Sequence, residues 1–561
     1  MGHPLADRLP AGPGGARHRG DLRGGGCLER LPRTAHLPAG RERADAVHRA
    51  ADLPPQQLAG LPVQPADGGI GAHHPAARGP VLRVPADVHQ GRPDRELQVS
   101  SAFDRRTFLR GAAATGGAGA LALLAASCAS GSGARSNPNQ VTIWGVTGTF
   151  VPFQTKVIKD FNEVHPEVDV KVNVVPSQGT GDATSIITAV RGGTAPDLWL
   201  LDRFSAAQYA AIGLIEPIDD MIEEFEDQPK DEFLAQWLGF TIGEVSYQGK
   251  TYGLPHDTDA RGMFVNRKML TGAGIDPDEF DWEHNGPVSM DRMWDVSERL
   301  TKKSGGNYTH VGLLPWYGEG WPFTWGLGLG ASYFDQQDSK MTMDSASVRS
   351  IFEFYEDWAK RYGYKDADTF IATYEPTGHP PGQTAFMADR MAFMVSVPST
   401  IQTFDNYGPK DLDWGTAYLP TQQDGGDKYT WSGGFALCVP KGSKKNKAVW
   451  ELMKYFTSKQ GQETYMVPAT SVPSNIAALE DPKGSAKSIR FFTESIGAST
   501  CRPPLPVGGA WWDSLADARS SVLLGTASPQ EAVERAQNRV DPMMQTYSPF
   551  TLPKDYDTVR I

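Results

Sequence analysis

VTIWGVTGTFVPFQTKVIKDFNEVHPEVDVKVNVV, residues 141–175, reads as strand, helix, strand. Residues 141–144 form a short β-prone run. Phe153, Val157, Ile158, Phe161 and Val164 then fall on one helical face, and Pro166 stops the helix. Val168, Val170, Val172 and Val174 alternate with polar or charged residues, the period-two pattern of a strand with one buried face. Working outward, Ile186, Ile187 and Val190 mark a second helix closed by Gly192-Gly193. Residues 198–201, after Pro196-Asp197, read as a buried strand. Strands alternating with helices at this spacing predict a parallel α/β sheet. Ligands of such sheets sit beyond the carboxyl ends of the strands. Trp144, with residues 145–149 after it, and Asp202-Arg203 are therefore candidate cleft residues.

Upstream lies an address label. Asp104-Arg105-Arg106-Thr107-Phe108-Leu109-Arg110 precedes a mild Gly/Ala/Leu run and then Leu124-Ala125-Ala126-Ser127-Cys128. The arginine pair Arg105-Arg106, the short weakly apolar segment and the small residues before a cysteine resemble a twin-arginine export signal fused to a lipoprotein cleavage site, with Cys128 as the lipid acceptor. Ala125 stands where such sites usually have leucine. Residues 112–127 are too few and too rich in Gly and Ala to span a bilayer. A buried Ala-rich helix would leave the arginine pair and the cysteine unexplained. Residues 1–100 hold 13 Arg, 13 Pro and seven of the 12 His, but no Lys, Phe, Tyr or Trp. That composition supplies no apolar core to offset chain entropy. An Arg-rich arm for nucleic acid fits poorly in front of an export signal. Residues 1–98 are therefore expected to be a mis-translated or disordered extension, with Val99 as the true start and residues 99–128 as the signal peptide.

From Cys128 onward the chain has 434 residues, and beyond the signal it keeps 38 basic and 55 acidic residues, a net charge near −17. Such an acidic chain is unsuited to nucleic acid or anionic lipid, and its length suits two or three domains with real cores. All 14 Trp and all 17 Tyr fall here. Cys438 and Cys501 are the only cysteines left, and their separation is compatible with one disulfide or with two free buried thiols.

Several short stretches then carry a resemblance. Phe161-Asn162-Glu163 with Pro166, Ala195-Pro196-Asp197-Leu198, Gly213-Leu214-Ile215-Glu216-Pro217 and Gly249-Lys250-Thr251-Tyr252-Gly253-Leu254-Pro255 come first. Phe264-Val265-Asn266-Arg267, Ala273-Gly274-Ile275, Asp413-Trp414-Gly415 with Leu419-Pro420, and Gly433-Gly434-Phe435 follow. Ala448-Val449-Trp450-Glu451, Phe456-Thr457-Ser458 and Val472-Pro473 close the series. In this order, over roughly residues 140–540, the chain resembles the family 1 type extracellular solute-binding proteins of carbohydrate ABC importers. The resemblance implies an α/β, two-lobed periplasmic-binding-protein-like type II fold. Each lobe would be a mixed, mainly parallel sheet flanked by helices, and crossover strands would join the lobes. It divides the chain into a tether at 129–139, lobe one at 140–254 and 397–433, and lobe two at 255–396 and 434–561. Crossings are expected at 252–266, at 391–398 and at 433–439. The implied role is capture of a sugar or oligosaccharide for a membrane permease, with the protein lipid-anchored on the outer face of the cytoplasmic membrane or free in periplasm or cell wall.

Sugar recognition needs aromatic rings for the C–H faces of a pyranose and charged or amide groups for its hydroxyls. Asp202-Arg203 match an Asp-Arg-Phe run that ends the same strand in the family's maltose-binding members. Asp259 sits where those members place an acid, with Asp257 beside it, and Trp512 corresponds to an aromatic platform. Ser399 stands where a second platform would be, so maltose itself is not expected. Trp316, Tyr317, Glu319, Trp321 and Trp325 form a local cluster interrupted by Pro315, Gly318, Gly320 and Pro322, which reads as a loop. Trp316 and Trp321 are candidate ligand contacts from it, and Trp431 and Gly434 from the Trp431–Gly434 stretch. Each has a plainer reading, since a tryptophan is more often core than platform and Asp202-Arg203 can be a surface ion pair.

Enzyme signatures fail on spacing. Gly249-Lys250-Thr251 lacks the P-loop glycine at Glu244, and Gly326-Leu327-Gly328-Leu329-Gly330 ends in Ala331 where a dinucleotide motif needs glycine. His165, His256, His284, His310 and His379 are scattered, so no metal and no cofactor is expected. The remaining rivals are a secreted glycoside hydrolase or lyase using two carboxylates, a receptor for a polyamine or other small solute, and a lipoprotein that presents bound ligand to a membrane sensor.

Overall fold

The computed structural model describes residues 137–145, 151–173, 183–481, 489–554 and 556–557. The export label, Arg105, Arg106, Cys128, the N-terminal extension and most of the tether lie outside the described residues.

Two sheets organise the chain. The first runs in the order Asp169–Asn173, Gln140–Trp144, Leu198–Asp202, Phe435–Pro440, Ile215–Glu216, with Gly253–Pro255 also paired to Phe435–Pro440. Its first three strands are parallel, as the alternating pattern predicts. Phe435–Pro440 runs antiparallel to Leu198–Asp202 and to its other two neighbours. The second sheet runs Trp414–Ala417, Gly262–Asn266, Met391–Ser396, Asn307–Leu313, Lys302–Ser304, with one parallel pair, Asn307–Leu313 against Met391–Ser396. Both sheets are thus mixed, and parallel pairing dominates only among the first three strands.

Sequence-local cues account for the helices. Val151–Val164 buries Val157, Ile158 and Phe161 along one stripe. Ser289 caps Met290–Leu300 by accepting from the Arg292 N–H, and Ser528 with Glu531 forms a capping box at Pro529–Gln545. No helix among the described residues is long and apolar enough to cross a membrane.

The expected lobe boundaries after Met391 need correction. Met391–Ser396 and Trp414–Ala417 both pair in the second sheet, so residues 397–433 do not return to the first lobe. Phe435–Pro440 is hydrogen-bonded within the first sheet, and the helix Lys447–Thr457 after it packs Val449, Trp450 and Met453 into the same core as Val141, Ile143 and Phe161. The chain passes from first sheet to second between Gly253–Pro255 and Gly262–Asn266. It comes back just before Phe435, so residues 255–262 and 432–435 run side by side between the sheets. His256 N–H donates to the Phe435 carbonyl at 2.8 Å, joining these two segments.

Candidate functional site

Asp202 ends its strand and Arg203 opens the 3-10 turn Arg203–Ser205, and the two have opposite fates. Arg203 is fully buried: its Nε donates to Glu244 at 2.9 Å, and its Nη groups donate to the carbonyls of Asp257 and of Gly433, the latter at 2.5 Å. Arg203 therefore ties the first lobe to both crossing segments and offers no face to a ligand. Gly434 is placed the same way. Its φ is +131°, and a Cβ there would lie 2.4 Å from Arg203 Nη1 and 2.6 Å from the Asp257 carbonyl oxygen, so it exists to admit that guanidinium. Asp257 is also buried, with Oδ1 accepting from the Phe435 N–H at 2.6 Å. These three expected ligand contacts form the joint between the lobes.

Asp202 turns the other way. Its carboxylate accepts from the Phe204 N–H at 3.0 Å and from Arg502 Nη2 at 2.8 Å, and it keeps 15% of its side chain exposed. The Arg502 guanidinium lies 4.3 Å from the Phe204 ring, 5.2 Å from Trp431 and 5.5 Å from Trp512. Trp512 stands 5.4 Å from Trp321 and 6.0 Å from Trp431. The Arg261 guanidinium sits 3.3 Å from the Trp431 ring, paired with Asp259 and, at 3.3 Å, with Glu319. Asp259 also accepts from the Gly433 N–H at 2.5 Å. Side chains from the first-sheet strand end, from a crossing segment, from the Glu319–Trp321 loop and from the helix Gly508–Leu523 thus converge.

Within this cluster Trp321 and Trp512 are half-buried and present aromatic surface. Trp431 is 1% exposed, its Nε1 spent on Thr324 Oγ1 at 2.8 Å, so it is the floor rather than a platform. Two expected contacts fall outside. Trp144 is in register with Trp199, three residues short of Asp202 and so roughly 10 Å back along the sheet at ~3.3 Å per residue. Trp316 packs edge-on against Tyr364 at 5.5 Å. Trp325 belongs to the core, donating to the Pro315 carbonyl. Sequence reading missed Arg261 and Arg502. Asp259 and Arg261 are two apart on extended chain, hence on one face, and that spacing was the available signal. Arg502, ahead of Pro503-Pro504, lies in no periodic pattern.

Stacking surface bordered by paired carboxylates and guanidinium groups can grip a polyhydroxylated ring: C–H faces on indole, hydroxyls on charged donors and acceptors. Residues 156–493 match the family model of bacterial extracellular solute-binding proteins. The chain belongs to that family. It is 23% identical over 402 residues to the maltotriose-binding protein of Pyrococcus abyssi, covering 70% of this chain and 79% of that one. It is 23% identical over 342 residues to the arabinooligosaccharide-binding protein of Bacillus subtilis, covering 60% and 73%. Among solved structures, mannobiose-bound CpMnBP1 superposes with a TM-score of 0.62 at 21% identity, covering 72% of this chain and 99% of that one. The GacH receptor of Streptomyces glaucescens does so at 0.58 and 21%, covering 72% and 98%. These structures share the two-lobed fold.

Elsewhere in this solute-binding protein, Cys438 and Cys501 are free and buried. The Cys501 thiol points at the Tyr556 carbonyl, so the two-thiol alternative holds. Among the described residues Asp278, Asp281 and His284 approach one another closely enough to share an ion. Arg267 already donates to Asp278 at 2.8 Å and to Asp281 at 3.2 Å, which offsets part of their charge and ties the group into a surface ion network.

The joint carries a pH dependence. Burial lifts the Asp257 carboxyl to about 7, against the opposing pull of the Phe435 N–H and Arg203, and burial lifts Glu244 to about 7 against Arg203. In the unfolded chain both return to the ordinary carboxylate range near 4. Between about pH 4 and 7 the folded state keeps protons the unfolded state has released. Stability therefore falls as pH rises through that window, by at most ~1.4 kcal/mol per pH unit for each group. His256 acts oppositely: burial lowers it to about 4, so its contribution is lost as pH falls from about 6.5 toward 4. Asp257→Asn keeps the acceptor oxygen for Phe435 and removes one titration. Urea unfolding across this window is expected to show a shallower fall of stability in the variant, and an equal slope would assign the fall to other groups.

Proposed function

We propose that this solute-binding protein captures a sugar or oligosaccharide between its lobes and delivers it unaltered to the permease of an ABC importer. The observation that carries the reading is the Trp321–Trp512 wall, with the Asp202–Arg502 pair and the Asp259–Arg261–Glu319 group gathered around it and Trp431. The oligosaccharide ligands in the names of its relatives support the same class. On this reading Arg105-Arg106 route the chain out of the cytoplasm, and a lipid on Cys128 holds it at the outer face of the membrane, within reach of the permease.

The pairing of charges argues against the two main rivals. A glycoside hydrolase needs one carboxyl free to give a proton and another free to attack or activate water. Asp202, Asp259 and Glu319 are each engaged by an arginine. A polyamine receptor needs carboxylates left over for ammonium groups, and these three already have cations.

Thermal unfolding of the purified protein against mono- and oligosaccharides, polyamines and amino acids tests the proposal. A ligand that binds only the folded state raises the midpoint by mass action. The expected result is a rise with one saccharide class, recovered intact afterwards. A rise with polyamines alone, or breakdown of the sugar, would overturn it.

A further inference from the structure

Each guanidinium at the joint or under the aromatic wall has a carboxylate of its own. Arg203 has Glu244, Arg261 has Asp259 and Glu319, and Arg502 has Asp202. Arg519 is the exception. Its guanidinium lies 4.5 Å from the Trp321 ring, hydrogen-bonds the buried Tyr355 hydroxyl and reaches the Gly320 carbonyl at 3.5 Å, and among the described residues no carboxylate comes within ion-pair distance. Asp368 and Arg519 both neighbour Tyr364 but form no ion pair with each other. Asp513 and Asp517, on the same helix, are turned to Arg539.

The position is not incidental to the wall. Trp512 and Arg519 are seven residues apart on Gly508–Leu523, two turns, and so share a helix face. Trp321 lies near both, 5.4 Å from the Trp512 ring and 4.5 Å from the Arg519 guanidinium. A cation held over Trp321, beside the Trp512 ring, is placed to meet a substituent that projects from a pyranose stacked on that wall. A hydroxymethyl group offers that guanidinium one neutral acceptor. A carboxylate offers two charged oxygens matched to the guanidinium fork, a stronger and more directional pairing. A second observation points the same way: Arg502 is buried under the same wall, and its Nε has no acceptor. A buried donor left unmade is costly, and an anionic ligand oxygen would satisfy it.

We propose that the ligand is an acidic saccharide, one bearing a uronic acid carboxylate, and that Arg519 is the residue that selects it. The inference rests on the saccharide reading above and narrows it.

Calorimetric titration of the full chain with matched pairs tests it: digalacturonate against galactobiose, and diglucuronate against cellobiose. For one pair the uronate is expected to bind at least about tenfold more tightly at low salt, with the advantage shrinking in about 0.5 M NaCl as screening weakens the ion pair. Arg519→Gln is expected to bring the uronate-to-neutral ratio down to near one, and Arg519→Lys to restore part of it. Wild-type protein that binds a neutral disaccharide at least as tightly as its uronate would overturn the proposal while leaving the saccharide reading intact. A preference that survives Arg519→Gln, in a variant whose unliganded melting midpoint is unchanged, would overturn the role of Arg519. No binding of any saccharide would overturn both readings together.

Discussion

Replacing Arg203 with alanine is expected to destabilise the folded protein by about 3–5 kcal/mol, the usual cost of removing one partner of a buried ion pair. Arg203 and Glu244 both have fully buried side chains, and the Glu244 Oε1 already lacks a partner. Without the guanidinium, Glu244 would be an unpaired buried charge, the Asp257 carbonyl would lose the Arg203 donor, and the Gly433 carbonyl would keep only the Thr258 hydroxyl at 3.2 Å. The loss strikes where the two crossing segments meet, so the lobes lose their common tie as well. Two controls separate charge from packing. The double replacement Arg203→Met with Glu244→Leu is expected to recover much of the loss, because it removes both charges and keeps volume. Arg203→Ala alone is expected to cost less at pH 5, where the buried Glu244 already carries a proton, than at pH 8, where it is ionised and would be left without its partner. Urea unfolding at the two pH values measures both. A cost under about 1 kcal/mol would mean that Arg203 does not hold the joint.

Trp512→Ala is expected to weaken saccharide binding by about 1–3 kcal/mol, roughly 5- to 150-fold, as for an anchoring aromatic at an interface. Its ring contacts Trp321, Trp431, Phe204 and the Arg502 guanidinium, so truncation removes one stacking face and loosens the other. Trp512→Phe is expected to keep part of the affinity. Asp202→Ala is expected to act through Arg502, whose only carboxylate partner among the described residues it removes, and to cost an amount in the same range. Titration calorimetry of the variants checks both. Unchanged affinity in Trp512→Ala and Asp202→Ala would remove this wall from the binding site.

What could be read from the chain beforehand follows from how local each signal is. The alternation at residues 168–174 and the helical stripe of Phe153, Val157, Ile158 and Phe161 are local, and the first three strands and the helix Val151–Val164 fall accordingly. Phe435–Pro440 is apolar enough to announce a buried strand, but its partner lies more than 230 residues upstream. Nothing in its own pattern says which sheet it joins, and the strand forms in the first sheet rather than in lobe two as its position in the chain suggests. Tryptophans posed the same difficulty. Trp325 and Trp431 are core, whereas Trp321 and Trp512 are half-exposed, and only tertiary packing separates them. Asp202 and Arg203 are adjacent, and the sequence alone offers both as ligand contacts. One faces the aromatic wall, while the other is buried in the joint. The cations that complete the site, Arg261 and Arg502, come from irregular segments in which periodicity carries no information.

The most direct test of the account is a crystal structure of the protein with the saccharide that gives the largest thermal shift. The expected complex has a sugar ring stacked on Trp512 and Trp321, hydroxyls within hydrogen-bond reach of the Asp202–Arg502 and Asp259–Arg261 pairs, and Arg203 still closed on Glu244. A sugar bound elsewhere, or one reaching Arg203 while Trp512 stays bare, would contradict it.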